Sequence, residues 1–157
     1  MEQLVGYAEY VFNSTTQAPN DSVPPYSAES SFTAFTIPTE VYNNVPLSIS
    51  ALTTPAGTTS GTYFTLHTGT YIIDYETTLT SSGSIAIYIG PTPTSLAIDN
   101  NTISGSSTAT TWIHGRNIQV VAVESIFAVS SVVDTVAVSP ASSSPRYIVR
   151  LTILKIA

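Results

Sequence analysis

The chain has no cysteine and very few charged side chains. Among its 157 residues, 4 are Lys or Arg and 10 are Asp or Glu, so charged residues make up 9% of the sequence and the formal net charge at pH 7 is -6. The absence of cysteine excludes a disulfide scaffold and a cysteine-based zinc site. The shortage of basic residues excludes binding to nucleic acid by neutralisation of its phosphates.

Targeting segments are also missing from the sequence. No stretch approaches the roughly 18 consecutive apolar residues that a membrane-spanning helix needs. The first residues, Met-Glu-Gln-Leu-Val-Gly, contain neither the basic nor the apolar region of a secretory signal peptide. We therefore expect a protein without a membrane span or a signal peptide, made in the cytoplasm.

The residues that are abundant favour β-structure along the whole chain. Hydrophobic residues make up 43% of the sequence, and 22 Ser and 24 Thr accompany them. Apolar or alternating runs of roughly five to ten residues are separated by clusters of Pro, Gly and Ser, and no window shows helical periodicity. The pattern predicts one globular all-β domain of about 8–10 strands, an antiparallel β-sandwich or barrel. Residues 1–25 would form an N-terminal strand and a Pro-rich loop, and residues 26–157 the remaining domain.

The clearest predicted strand covers residues 71–79. Tyr71, Ile73 and Tyr75 share one of its faces, whereas Asp74 and Glu76 share the other. This alternation is typical of a strand that packs one face into a core.

The last predicted strand, residues 146–156, is apolar on both faces. The faces consist of Tyr147, Val149, Leu151 and Ile153 on one side and of Ile148, Leu154 and Ile156, with Arg150 and Thr152 between them, on the other. Because an antiparallel sheet normally keeps one face polar, the second apolar face predicts that the chain associates with a partner. The alternative is that long loops cover this face within the monomer.

Residues 64–75, Phe-Thr-Leu-His-Thr-Gly-Thr-Tyr-Ile-Ile-Asp-Tyr, resemble the strand-entry motif of the C1q/TNF-like jelly rolls. In that family a Gly-x-Tyr motif opens a central strand. Its glycine, here Gly69, lets the backbone turn tightly, and its tyrosine, here Tyr71, packs between the sheets. Residues 148–157 resemble the last strand of the family, which lies near a three-fold axis. The chain is especially similar to the trimeric C-terminal domains of collagen-like spore-surface glycoproteins.

This resemblance implies a jelly roll of the C1q/TNF type that forms a homotrimer. The implied trimer interface contains Tyr147, Val149, Leu151, Ile153, Tyr71 and Tyr75. The sequence has no collagen-like stalk, so residues 1–25 become the candidate anchor.

Two shorter segments resemble small β-rich proteins that large double-stranded DNA viruses encode, some of them virion components. They are residues 108–116, Thr-Ala-Thr-Thr-Trp-Ile-His-Gly-Arg, and residues 151–157, Leu-Thr-Ile-Leu-Lys-Ile-Ala. The resemblance implies a capsid protein of the virion in contact with other particle-surface proteins.

Few residues offer catalytic chemistry. His67 and His114 could form a ligand pair or a pH switch, but we favour a strand-end position for His67 and a turn beside Gly115 for His114. Asp74 and Glu76 have the spacing of a carboxylate pair such as a glycosidase uses. We favour a solvent- or partner-facing position for both carboxylates, with pairing to Arg150.

Two further groups could bind ligands. Residues 99–102, Asp-Asn-Asn-Thr, offer several oxygens but a single charge, which falls short of the 6–8 oxygen ligands of a calcium site. An aromatic platform for sugars could be built from Trp112, Tyr63, Tyr71, Tyr75 and Tyr88, although core packing is the role that we favour for most of them.

We therefore predict a non-enzymatic structural protein without catalytic residues, cofactor or metal: a minor capsid, vertex or fibre-head component. One alternative is a receptor- or glycan-binding attachment module on a virion or spore surface, with the loops at residues 90–95 and 99–107 as its contacts. The other is a polysaccharide hydrolase or lyase that uses Asp74 and Glu76.

Overall fold

The structure, a computed structural model, describes residues 5–13, 21–23, 32–35, 37, 39–53, 58–79, 81–108, 111–132, 136–138 and 147–157. Apart from one 3-10 turn at Asn100–Thr102, the regular elements of these residues are β-strands. They are β1 (Gly6–Asn13), β2 (Asp21–Val23), β3 (Phe32–Thr33), β4 (Thr39–Asn43), β5 (Ile49–Thr53), β6 (Thr58–Ser60), β7 (Thr62–Leu66), β8 (Gly69–Leu79), β9 (Gly83–Gly90), β10 (Ala97–Ile98), β11 (Ser104–Ser106), β12 (Thr111–Val121), β13 (Ser125–Ser131), β14 (Val136–Val138) and β15 (Tyr147–Lys155). Within this part of the chain, no helix is both long and apolar enough to pass through a bilayer.

Two antiparallel sheets pack face to face. The seven-stranded sheet has the order β2-β14-β8-β15-β1-β4, and β12 pairs with the remaining edge of β8. The six-stranded sheet has the order β10-β9-β13-β7-β5, with β11 also paired to β9. The two short strands β3 and β6 form a separate parallel pair.

The chain crosses between the two sheets at each long strand from β7 onwards. β7, β9 and β13 belong to the six-stranded sheet, whereas β8, β12 and β15 belong to the seven-stranded one. Strands that are distant in sequence therefore become neighbours, as β1 and β15 do along the whole of β1. This wrapped antiparallel order is a jelly roll. The predicted fold class is confirmed, and nine of the described strands have five or more residues.

The core lies between the sheets, and β8 shows how the sequence builds it. Tyr71, Ile73 and Tyr75 are fully buried, while the residues that alternate with them remain partly exposed. From the six-stranded sheet, the rings of Phe64 and Phe127 stack with centroids 5.0 Å apart. The predicted inward face of β8 is therefore its buried face.

The Gly-x-Tyr motif at the start of β8 has the packing expected from its sequence. Gly69 has a φ angle of +154°, and a Cβ atom there would lie 2.6 Å from the carbonyl oxygen of Ala157. Tyr71 is fully buried and donates a hydrogen bond of 2.8 Å to the carbonyl oxygen of His67. The glycine is required because the end of the chain passes directly beside it.

Most residues that the sequence analysis assigned to a trimer interface lie in this core. Those at most 1% exposed are Tyr71, Tyr75, Val149, Leu151 and Ile153. A side chain buried between the sheets of one chain has no surface left for a second chain, so the assignment is wrong for these five residues. The side chain of Tyr147 lies outside the described residues.

The N-terminal strand is part of the sandwich. β1 lies between β15 and β4, and β2 pairs with β14. Residues 6–13 and 21–23 therefore belong to the jelly roll, and a boundary at residue 25 does not separate them from it. The anchoring role of residues 1–25 stays a prediction.

Candidate functional site

The outward face of the seven-stranded sheet carries a groove of about 420 Å3. Strand alternation places its lining there, because residues between the buried positions of β1, β8, β12 and β15 point away from the core. The lining consists of Tyr7, Ile72, Asp74, Glu76, His114, Arg116, Arg150, Thr152 and Leu154. Register brings charges from distant segments together: Glu76 lies between Arg150 of β15 and His114 of β12, and Asp74 lies opposite Arg116.

One end of the groove is a closed hydrogen-bonded network around Arg150. Its Nε donates to Oε1 of Glu9 at 2.9 Å, and its terminal nitrogen lies 3.5 Å from Oε1 of Glu76. The hydroxyl of Tyr7 donates to the second oxygen of Glu9 at 2.6 Å. The pairing of Glu76 with Arg150 that the sequence analysis favoured is therefore present.

The pKa values of this network reflect its close contacts. Burial acts to raise the pKa of Glu9, but the hydrogen bonds from Tyr7 and Arg150, together with the charge of Arg150, outweigh it and lower that pKa below its ordinary value. The hydrogen bond to Glu9 in turn raises the pKa of Arg150 and also that of Tyr7. Glu9 and Arg150 therefore stabilise each other in their ionised forms, so these two groups are satisfied within one chain.

The other end of the groove is loosely paired. Oδ1 of Asp74 lies 3.7 Å from Nε2 of His114, and Oδ2 of Asp74 lies 4.0 Å from Nε of Arg116. Both distances exceed those of hydrogen bonds. The side chains of His114 and Arg116 are more than half exposed. His114 lies inside the long strand β12 and not in the turn that was expected from the sequence.

The two histidines occupy different surroundings. His67 directly follows the last residue of β7, as the strand-end prediction requires. Its Nδ1 lies 3.1 Å from Oε2 of Glu124. His114 contacts Asp74 in the groove. Among the described residues, no group of three or more His, Cys, Asp or Glu side chains has an arrangement that could hold a metal ion.

Asp99 has a structural role in the loop that offered calcium ligands. Its Oδ1 accepts a hydrogen bond of 3.1 Å from the backbone nitrogen of Asn101. Its Oδ2 accepts from the side-chain amides of Asn117, at 2.6 Å, and Gln119. Both carboxylate oxygens are therefore occupied by N–H donors that fasten the 3-10 turn to β12.

The aromatic residues divide between the core and the outward face. Tyr63, Tyr71, Tyr75 and Tyr88 are buried, so the favoured core role is confirmed for them. Trp112 is 55% exposed on β12. It begins an exposed row along the same strand face, in which it is followed by His114, Arg116, Ile118 and Val120.

Three polar or charged residues of the site, Tyr7, Glu9 and Arg116, were not singled out from the sequence. Tyr7 and Glu9 alternate with the buried Ala8 and Tyr10, a pattern that could have placed them on an outward face. Their proximity to Arg150 depends on the pairing of β1 with β15, which no local pattern reveals.

Comparison of the chain with known proteins gives structural similarity alone. No protein-family model matches the chain. No curated protein matches it in sequence. Among solved structures, it is similar to the globular domain of the zebrafish complement 1qA protein, with 9% sequence identity, a TM-score of 0.46, and coverage of 87% of this chain and 94% of that chain.

The outward face carries charged and apolar side chains side by side. Each carboxylate of β8 lies within 4.0 Å of an arginine nitrogen, and apolar side chains continue the face beyond them. Charges of both signs therefore lie beside apolar residues on this face.

Proposed function

We propose that this chain is a non-enzymatic structural protein that forms a homotrimer through the outward face of its seven-stranded sheet. In this proposal the trimer is part of the outer shell of a virus particle, as a minor capsid, vertex or fibre-head component. The observation that carries the proposal is the apolar end of the exposed row on β12, where Ile118 is 58% and Val120 is 77% exposed. Ile72 and Leu154 continue this surface across β8 and β15.

Physical chemistry supports a partner for this surface. A water-facing antiparallel sheet normally presents polar side chains, and each Å2 of apolar surface removed from water contributes about 25 cal/mol to association. Among the described strands, β12 pairs with β8 alone and so forms an edge of the sheet. Contact between the edge of one copy and the face of the next is heterologous and can close into a ring.

Sequence resemblance supports the finer parts of the proposal. Residues 148–157 resemble the last strand of C1q/TNF-like trimers, which favours a ring of three copies. Residues 108–116 and 151–157 resemble proteins of large double-stranded DNA viruses, which favours a place in the virion beside other capsid proteins.

Size-exclusion chromatography with light scattering tests the assembly. We expect the mass of three chains of 16.6 kDa each at micromolar concentration. Ile118→Ser combined with Val120→Ser should yield monomers. Leu47→Ser should not, because Leu47 is even more exposed but lies in the turn between β4 and β5, outside the proposed contact surface. A monomeric wild-type protein would overturn the proposal.

Electron microscopy tests the location. A gold-labelled antibody against this chain should decorate the surface of purified virus particles. The antibody must first be shown to label the purified protein. If it then leaves the virus particles unlabelled, the placement in the virion is overturned.

A second function, glycan binding, is favoured by one observation. Trp112 is a large exposed aromatic residue on the outward face, and it lies on the same strand face as Arg116. A glycan array should then show binding by the wild-type protein and its loss in Trp112→Ala. An array without any bound glycan would remove this candidate.

A further inference from the structure

We propose that Arg116 of one copy forms an ion pair with Asp74 and Glu76 of the neighbouring copy. This inference rests on the proposed self-assembly and names the contact that orients one copy against the next. It assigns to Arg116 the role of a specificity-determining residue of the interface.

The two arginines of the groove differ in how fully they are paired. Arg150 donates a 2.9 Å hydrogen bond to Glu9 and has a second carboxylate 3.5 Å away. Arg116 has one carboxylate at 4.0 Å and, within the described part of the chain, no hydrogen bond. Its planar guanidinium carries five N–H donors, so most of its capacity is unused.

The acidic side of the proposed pair is also incompletely satisfied. The contacts of Asp74 with His114 and Arg116, at 3.7 and 4.0 Å, are longer than hydrogen bonds. Glu76 has Arg150 3.5 Å from one oxygen, and its side chain, like that of Asp74, is 30% exposed. Both carboxylates face the groove and can each accept a further donor.

Covering such groups without pairing them would oppose assembly. Charges removed from water destabilise an interface unless hydrogen-bonded partners of opposite charge replace the water. The covering surface must therefore supply both a cation for Asp74 and Glu76 and an anion for Arg116. The same face of a second copy supplies both.

The positions of the strands suit a contact between copies. Arg116 lies on β12 at the edge of the sheet, whereas Asp74 and Glu76 lie on β8, one strand further in. When the β12 edge of one copy lies over the outward face of the next copy, Arg116 is brought onto Asp74 and Glu76 of that copy. Each copy gives one such contact and receives one, as a closed ring requires.

Charge reversal tests the pair directly. Arg116→Glu and Asp74→Arg should each raise the concentration at which assembly is half complete by about tenfold or more, because like charges then meet. Arg116→Gln is a milder variant for the case that reversal disturbs folding. Glu124→Arg makes the same charge change as Asp74→Arg at an exposed position beside His67, outside the groove, and should assemble like the wild type.

Mixing the two reversed variants distinguishes a contact between copies from one within a copy. When Arg116→Glu meets Asp74→Arg, a complementary pair can form between different chains but in neither chain alone. Native mass spectrometry should therefore detect mixed trimers of 2:1 and 1:2 composition. Recovery should be partial, since every mixed ring of three keeps one contact between like charges.

The outcomes separate this inference from the proposed function. A monomeric wild-type protein overturns the assembly itself. A trimeric wild type whose Arg116→Glu, Asp74→Arg and Arg116→Gln variants assemble equally well overturns the ion pair alone. Weakened single variants that form no mixed species overturn its placement between copies.

Discussion

Gly115 of β12 lies directly opposite Tyr75 of β8, and a Cβ atom on Gly115 would overlap the tyrosine ring. The hydroxyl of this buried ring lies 2.9 Å from the carbonyl oxygen of Ile85 and 2.6 Å from that of Thr102. The ring therefore crosses the position where a side chain would stand, and it ties β8 to β9 and to the 3-10 turn. Glycine weakens the middle of a strand, and this close approach explains its presence here.

Replacement of Gly115 by alanine should destabilise the fold by about 1–3 kcal/mol, since the added methyl group would displace a fully buried ring. Urea unfolding followed by circular dichroism measures the change. Val123→Ala is a control at an exposed position outside the groove and should stay within about 0.5 kcal/mol of the wild type. Equal stability of Gly115→Ala and the wild type would contradict the packing described.

The hydroxyl of Tyr75 should contribute separately from its ring. Burial raises the pKa of Tyr75, so the phenol stays neutral and keeps its single proton, which the two carbonyl oxygens share. Tyr75→Phe keeps the ring but removes the donor, and it should lower the free energy of unfolding by about 1–2 kcal/mol. The same change at the half-exposed Tyr42 should have little effect on urea unfolding. A neutral Tyr75→Phe would show that this hydroxyl does not stabilise the fold.

Glu9 should make the stability of the fold depend on acidic pH. Its pKa is lower in the folded chain than its ordinary value, so the folded state binds fewer protons than the unfolded state as the pH falls. The stabilising contribution is fully present well above the ordinary glutamate pKa of 4.5 and is lost as the pH falls from there through the lower pKa of the folded chain. Unfolding curves between pH 6 and 3 measure it.

Glu9→Gln is the control for this pH dependence. It lacks the titrating group and should be less stable than the wild type at neutral pH, with the difference shrinking on acidification. A difference that stays constant or grows towards low pH would show that Glu9 is not stabilised in its ionised form.

Local patterns predicted the strands and much of the site. The alternation in β8 correctly separated Tyr71 and Tyr75 from Asp74 and Glu76, because an alternating strand has one evident buried face. Position 115 shows the limit of such patterns. Gly115 looked like part of a turn in the sequence, but it lies within the long strand β12. It is a glycine because the Tyr75 ring occupies the space that a side chain would need.

The choice between the two faces of β15 required the tertiary structure. Both faces are apolar in sequence, so periodicity groups the residues of a face but does not say which face enters the core. The pairing of β15 with both β1 and β8 decides it, since the buried residues of all three strands must share one side of the sheet. The same pairing brings Glu9 to Arg150, residues that are far apart in the chain.

A matched pair on β15 tests this choice of faces. Leu151 is fully buried and Leu154 lines the outward groove, so the two leucines lie on opposite sides of one strand. Leu151→Ala should cost about 2–5 kcal/mol at every protein concentration, because it leaves a cavity in the core. Leu154→Ala should instead reduce the dependence of the melting temperature on concentration, which is the signature of stabilisation by association. The opposite result would contradict the structure. If Leu151→Ala weakened association and left the monomer equally stable, Leu151 would face a partner and not the core.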